Sequence, residues 1–284
     1  MTMLTRIRRQ IVKMTEVREN IQAVNTGSVS SEELISVIMP VYNSEQSLQD
    51  SVSSVLAQTY SNLELVIVDD ASDDNTHAIC HMLSEQDDRI KIITNENNSG
   101  ALKSRFIAVD EAKGEWIAFI DADDLWHPEK LEKQLALRDR TGCDLVYTSS
   151  SFTNTDGKKY DWIMHVPDRV DYRRLLKQNV ISNSSVLMKK EDYVRYMPSK
   201  DISNRIHEDF ACWLGMLRDG RTACGIDEPL ITYRLSRTSR AGNKFKAAAM
   251  NMNTYRYVGL GIFERLFYQT CYAFNGLIKY LHFI

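Results

Sequence analysis

Proline and glycine are scarce, at 5 and 12 of 284 residues, where average usage would give roughly 14 and 20. That scarcity excludes a collagen-like or low-complexity chain. With 43% hydrophobic residues, the sequence can bury a core of its own. The five cysteines, at 80, 143, 212, 224 and 271, show neither C-x-x-C pairing nor a zinc-like spacing with histidine, and they read as reduced thiols of a cytoplasmic protein. Charge of one sign is lacking too: 35 Lys and Arg face 38 Asp and Glu, for a net charge of −3. Without an overall basic field no nucleic-acid partner is expected, and any anion site must be local. The longest uncharged stretch, Leu266–Ile278, falls short of the roughly 18 residues a spanning helix needs. Near the start, Arg6, Arg8, Arg9 and Lys13 stand among scattered apolar residues, without the apolar core of a secretory signal. The active domain is therefore expected in the cytoplasm. No unit of a repeat array recurs.

What is present is an alternation of short apolar runs and amphipathic segments, the pattern of βαβ units. Residues 1–33 precede it as an extension, with Leu4, Ile7, Ile11 and Met14 on one helical face. Such a basic amphipathic helix suits an anionic membrane surface and equally a berth on the main domain. Strands are expected at Ile35–Tyr42, Leu65–Asp69, Ile90–Thr94, Trp116–Asp121 and Asp144–Thr148. The fold class is α/β: a Rossmann-like, mostly parallel central sheet with flanking helices, plus N- and C-terminal helical extensions. Further on, the pattern predicts a helix at Tyr172–Gln178, a strand at Ser185–Lys189 and a helix at Glu208–Asp219 closed by Gly220. Residues 241–284 begin basic and turn aromatic, with Phe263, Leu266, Phe267 and Phe274 at near-helical spacing. They read as a helical tail that docks on a membrane surface or on the domain.

Ligands of parallel α/β sheets bind beyond the carboxyl ends of the strands. There the first strand ends in Pro40-Val41-Tyr42-Asn43, the second in Asp69-Asp70 and the fourth in Asp121-Ala122-Asp123-Asp124. Clustered carboxylates repel one another unless a cation neutralises them. Hard oxygen ligands without histidine or thiolate point to Mg²⁺ or Mn²⁺, with room for a diphosphate to complete the shell. Gly100 opens a helix that carries Arg105, where a free N-terminus and a guanidinium can meet an anion. Glu208 and Asp209 sit at the positive end of another helix dipole, which favours their ionised form.

Together these residues resemble the inverting glycosyltransferases of family 2 with GT-A fold, a group that includes bacterial polysaccharide and O-antigen enzymes. The resemblance rests on Ser36–Asn43, Val68–Asp74, Asn98-x-Gly100 with Arg105, Asp121–Asp124 and Glu208-Asp209, in this order, from about Ile35 to Lys244. It implies a GT-A domain over 34–240, with a nucleotide-sugar half at 34–125 and an acceptor half at 126–240. By the same resemblance, Pro40, Val41, Tyr42, Asn43 and Asp70 line the nucleoside pocket, with Gly100 and Ala122 beside it. Arg105 supports base or phosphate, Asp121 touches ribose, and Asp123, with Asp121, holds the Mn²⁺ or Mg²⁺. Asp209 is the general base, with Glu208 its neighbour. The implied donor is a nucleotide-diphosphate sugar, with UDP favoured. The implied acceptor is a glycan or a polyprenyl-diphosphate-linked sugar at the inner face of the cytoplasmic membrane, in surface polysaccharide, capsule or O-antigen assembly. Ser104-Arg105-Phe106 departs from the Ala-Arg-Asn common in the family, so that asparagine's role is absent. Two alternatives are a nucleotidyltransferase, against which the Asn43-Ser44-Glu45-Gln46 loop speaks because it lacks glycines and cations, and a non-catalytic carbohydrate-binding scaffold.

Overall fold

The structure, a computed structural model, describes residues 33–154, 157–199, 202, 205–235 and 244–281. All of the expected N-terminal extension except Glu33, and residues 236–243, lie outside the described residues. Strands β1 (Ile35–Val41), β2 (Leu63–Asp69), β3 (Ile90–Thr94) and β4 (Trp116–Phe119) alternate with helices α1 (Leu48–Leu56), α2 (Thr76–Gln86) and α3 (Ala101–Glu111). A short strand β5 (Leu125–Trp126) then leads into α4 (Lys130–Thr141). Every position of β1 and β2 is buried, which is why both read as nearly continuous apolar runs: helices cover the two faces of a parallel sheet.

β1 pairs in parallel with β2 on one side and β4 on the other, and β3 flanks β2. The chain thus winds outward from β1 to β3 and crosses back to β4, and this reversal leaves a crevice beyond the carboxyl ends of β1 and β4. The β1–β4 ladder ends at Ile38↔Phe119, where the Ile120 N–H still reaches the Ile38 carbonyl at 3.1 Å. Two residues on, Pro40 is the next position of β1 to face β4, and it has no N–H with which to prolong the ladder. The two strands part there.

The second half comprises β6 (Leu145–Asn154), β7 (Lys159–Met164), β8 (Arg169–Val170), α5 (Tyr172–Lys177), β9 (Leu187–Lys189), α6 (Lys190–Tyr196), α7 (Glu208–Arg218), β10 (Ala223–Leu235), α8 (Lys244–Tyr257) and α9 (Ile262–Leu281). The sheet runs β3-β2-β1-β4-β9-β6-β10-β5, with β7 beside β6 and β8 beside β10. Its first half is parallel throughout, as expected. Directions mix beyond β4, because β9 is antiparallel to both β4 and β6. The long β10 escapes sequence reading because Asp227-Glu228-Pro229 interrupts its apolar pattern, at the point where its register on β6 shifts.

One expectation is corrected. Cys143 and Cys224 are joined as a disulfide, with Cα atoms 6.1 Å apart, although 81 positions separate them. The parallel pairing of β10 with β6, which sets Cys224 opposite Val146, brings them together. Cys80, Cys212 and Cys271 are free.

α7 ends as expected at Gly220, whose φ of +89° lets the Arg221 N–H turn back to the Met216 carbonyl at 3.0 Å. The C-terminal helices pack on the domain by one face. Tyr255 of α8 is fully buried and donates to the Leu176 carbonyl at 2.6 Å, and Phe210 of α7 meets the rings of Tyr255 and Tyr272 at 6.0 and 6.2 Å. Phe263, Phe267 and Phe274 on the other face of α9 stay exposed. Among the described residues, no helix is long and apolar enough to cross a membrane.

Candidate active site

The loops after β1 and β2 are stitched to each other. The Asn43 N–H donates to Ser72 Oγ at 3.0 Å, the Asp73 N–H donates to Asn43 Oδ1 at 3.0 Å, and the Ser44 N–H donates to Thr76 Oγ1 at 2.7 Å. Asn43 and Ala71 take left-handed φ values of 48° and 60°, which side chains tolerate only when neighbours over-determine them. Here Asp69 supplies that restraint by accepting the Ser72 N–H and hydroxyl at 3.1 and 2.6 Å. Pro40 and Val41 are buried in β1, whereas Tyr42 is exposed at the rim of the crevice.

Asp70, expected from the resemblance to line the nucleoside pocket, is buried and accepts four hydrogen bonds from protein. Oδ1 receives Asn95 Nδ2 at 2.7 Å and the Ser99 N–H and hydroxyl at 2.9 Å each, and Oδ2 receives the Gly100 N–H at 2.7 Å. Burial opposes ionisation, but these donors outweigh it and hold the carboxyl below its usual range. The loop from Asn95 to Gly100 is thereby fixed at the start of α3. Asn95 carried no sequence signal.

The loop after β4 holds three carboxylates in three environments. Asp121 is partly exposed and accepts from Arg105 Nη2 at 2.7 Å. Asp123 is exposed at the mouth of the site. Partial desolvation there, and then the Asp121 charge, raise its pKa. Asp124 is buried and accepts from Ser184 Oγ at 2.5 Å; burial, then Asp121 and Asp123, push its pKa well up. Ser184 itself accepts the Asp121 N–H at 3.2 Å, and the carbonyl of buried Ala122 accepts from Ser51 Oγ at 2.8 Å. Ser184 and Ser51 thus brace the acidic loop, and neither stood out in the sequence.

Arg105 is buried and spans two parts of the chain. While Nη2 engages Asp121, Nη1 lies 4.0 Å from Glu208 Oε1 at the start of α7. Burial works against its charge, but Asp121 above all, with a smaller contribution from Glu208, more than compensates and keeps it protonated. Its Nη2 is engaged by a protein carboxylate, while Nε is buried without a hydrogen-bond partner among the described residues. Asp209 is half-buried, and its Oδ1 accepts the Phe210 N–H at 2.7 Å. Desolvation and the adjacent Glu208 raise the Asp209 pKa, whereas the helix dipole alone led to the opposite expectation. At the N-terminus of α7 the charge next door and the loss of water outweigh a dipole effect of about 0.3–1 kcal/mol. Burial, and then the Asp124 charge with smaller contributions from Asp121 and Asp209, push the pKa of Tyr233 on β10 well up.

Among the described residues, no three His, Cys, Asp or Glu side chains form a ready-made metal cage. The donor set nonetheless fits a hard cation that brings its own oxygen ligands. Asp123 offers an exposed carboxylate whose proton affinity is raised by partial desolvation and by the Asp121 charge, and a divalent ion would offset that repulsion.

The fold recurs among solved glycosyltransferases. A TarS fragment from S. aureus in complex with UDP-GlcNAc superposes with a TM-score of 0.65 at 19% identity, over 84% of this chain and 71% of that one. The mannosyltransferase PcManGT from Pyrobaculum calidifontis, in complex with GDP-Man and Mn²⁺, gives 0.63 at 16% identity, over 87% and 70%. The architecture is therefore that of a GT-A glycosyltransferase. In sequence, residues 36–196 match the family model described as Glycosyl transferase family 2. The chain is 36% identical to the putative teichuronic acid biosynthesis glycosyltransferase TuaG of Bacillus subtilis (strain 168) over 255 residues, covering 87% of this chain and 98% of that one. It is 33% identical to the UDP-Glc:alpha-D-GlcNAc-diphosphoundecaprenol beta-1,3-glucosyltransferase WfgD of Escherichia coli over 251 residues, covering 87% and 95%. This protein belongs to the family 2 glycosyltransferases and is an enzyme of that class, which sets aside the nucleotidyltransferase and scaffold alternatives.

Proposed function

We propose that the enzyme transfers a hexose or N-acetylhexosamine, with inversion, from a UDP-sugar to a polyprenyl-diphosphate-linked acceptor, in bacterial surface polysaccharide assembly at the inner face of the cytoplasmic membrane. The observation that carries this reading is Arg105. One buried guanidinium hydrogen-bonds Asp121 in the acidic loop after β4 and lies 4.0 Å from Glu208 at the start of α7, which supports a single site shared by these two elements. In this reading residues 34–125 form the donor half and 126–240 the acceptor half. Pro40, Val41, Tyr42 and Asn43 border the nucleoside, and Asp70 shapes its pocket through the Gly100 loop.

Asp209 serves as general base. Its raised pKa suits the task, since a more basic carboxylate takes the acceptor's hydroxyl proton more readily. As that proton moves to Asp209, the acceptor oxygen bonds to the anomeric carbon from the side opposite the diphosphate. The bond from that carbon to the diphosphate oxygen breaks, and the nucleoside diphosphate departs with the electron pair. A divalent cation held by Asp123, with Asp121 beside it, would neutralise the charge that develops on the leaving group. Glu208 keeps Asp209 basic through its charge, and Arg105 holds Glu208 and Asp121 in register.

The test is transfer from UDP-glucose and UDP-N-acetylglucosamine to a synthetic polyprenyl-diphosphate GlcNAc, followed by product anomer analysis. An inverted product from one donor supports the proposal. No product from any UDP-sugar, or a retained anomer, overturns it.

A further inference from the structure

The face of α9 turned away from the domain is apolar. Ile262, Phe263, Leu266, Phe267 and Phe274 recur at helical spacing and are 50–85% exposed, while Tyr268 and Tyr272 on the other side pack against the core. Large apolar residues scattered singly on a surface need no explanation, but four clustered in the first two turns of one helix, with Phe274 on the same face beyond Thr270, do. Beside this apolar face, a cleft of about 500 Å³ opens between α5 and α9. Tyr172, Leu176, Leu260 and Phe267 line it with two exposed cations, Arg173 and Lys177; the carboxylate there, Glu264, caps α9 by accepting the Gly261 N–H at 2.9 Å.

We propose that this face docks on an anionic bilayer: α9 lies in the plane of the interface with its phenylalanines at the acyl boundary, and Arg173 and Lys177 take a lipid phosphate in the cleft. The charge arrangement argues for a bilayer. Cations stand beside the apolar stripe, matching an apolar boundary beneath a negatively charged layer. The inference deepens the proposed function, on which its consequence rests. Tyr272 braces α9 against Phe210, the neighbour of Asp209, with ring centroids 6.2 Å apart, so the helix that would lie on the bilayer packs directly on the helix that carries the candidate base.

The experiment is vesicle flotation of the full chain in low salt, without donor or acceptor, so that failed docking and failed transfer are separate results. The wild type is expected to float with phosphatidylglycerol-containing vesicles and weakly with phosphatidylcholine alone. Phe263→Ser/Phe267→Ser/Phe274→Ser is expected to lower binding on the order of tenfold or more. Arg173→Gln and Lys177→Gln should each lower it about fivefold and reduce the preference for anionic lipid. Melting temperatures show whether each variant folds, and the two charge variants keep the test decisive if the triple variant does not. A wild type that stays at the bottom, equal binding to neutral vesicles, or variants that float like the wild type overturn the proposal. So does light scattering that shows a dimer split by the triple substitution, which would assign the face to a second copy.

Discussion

The Gly100 N–H donates to Asp70 Oδ2 at 2.7 Å, and with this bond a strand-end carboxylate governs the entry into α3. Hydrogen bonds to a charged acceptor contribute about 1.5–3 kcal/mol each. Asp70→Asn keeps the shape but offers one acceptor oxygen in place of two, so it is expected to lower stability by about 1–3 kcal/mol, read as a fall in melting temperature. The folded-state pKa of Asp70 is depressed, so its stabilisation is present above the ordinary carboxylate pKa and lost as pH falls through the folded value. The wild type should therefore lose stability faster than the variant below about pH 4.

For Asp209→Asn, turnover is expected to fall by about 10²–10⁴-fold, with nucleotide affinity nearly unchanged. Single-turnover kinetics beside calorimetry would show this; equal losses in both would reassign Asp209 to donor binding.

The acidic limb of the wild-type rate profile should lie above the usual aspartate range, because burial and Glu208 raise the Asp209 pKa. A base works when deprotonated, so activity falls as pH drops through that value. Removing the neighbouring charge with Glu208→Gln should move the limb to lower pH, measured on kcat/KM. A limb that stays in place would mean that Glu208 does not tune the base.

Binding of UDP should tighten on adding Mn²⁺, and the gain should vanish in Asp123→Ala and on chelation. Calorimetric titration reads this directly. Metal-independent affinity in the wild type would remove Asp123 from cation binding.

Lys130 is fully buried, with Nζ 3.9 Å from the Trp126 ring centroid and 2.7 Å from Gln134 Oε1. Desolvation drives its pKa well below the ordinary value. The unfolded chain then binds a proton that the folded chain sheds, so stability should rise with pH up to about 10.4. In Lys130→Met that alkaline gain should shrink, as denaturation at pH 7 and pH 9 would reveal.

The donor-side half of the fold was legible because its signals are local: an apolar run that ends in Asp69-Asp70 or Asp121-Ala122-Asp123 marks a strand and its functional end in one stretch of chain. What Arg105 touches was not legible, since Asp121 and Glu208 lie 16 and 103 positions away and only the tertiary fold brings them together. Ser184 and Asn95 stayed hidden for the same reason, as polar residues whose roles depend on neighbours distant in sequence. The Asp209 pKa was misjudged because a helix dipole can be read from sequence and desolvation cannot. The Cys143–Cys224 link follows from the β6–β10 pairing, which sequence periodicity left undetected.

Pro40 gives the crevice a property of its own. Because the ladder stops where a backbone donor is covalently missing, the gap between β1 and β4 exists before any nucleotide arrives. No backbone hydrogen bond has to break there for the strands to part, so their divergence is settled once, when the chain folds.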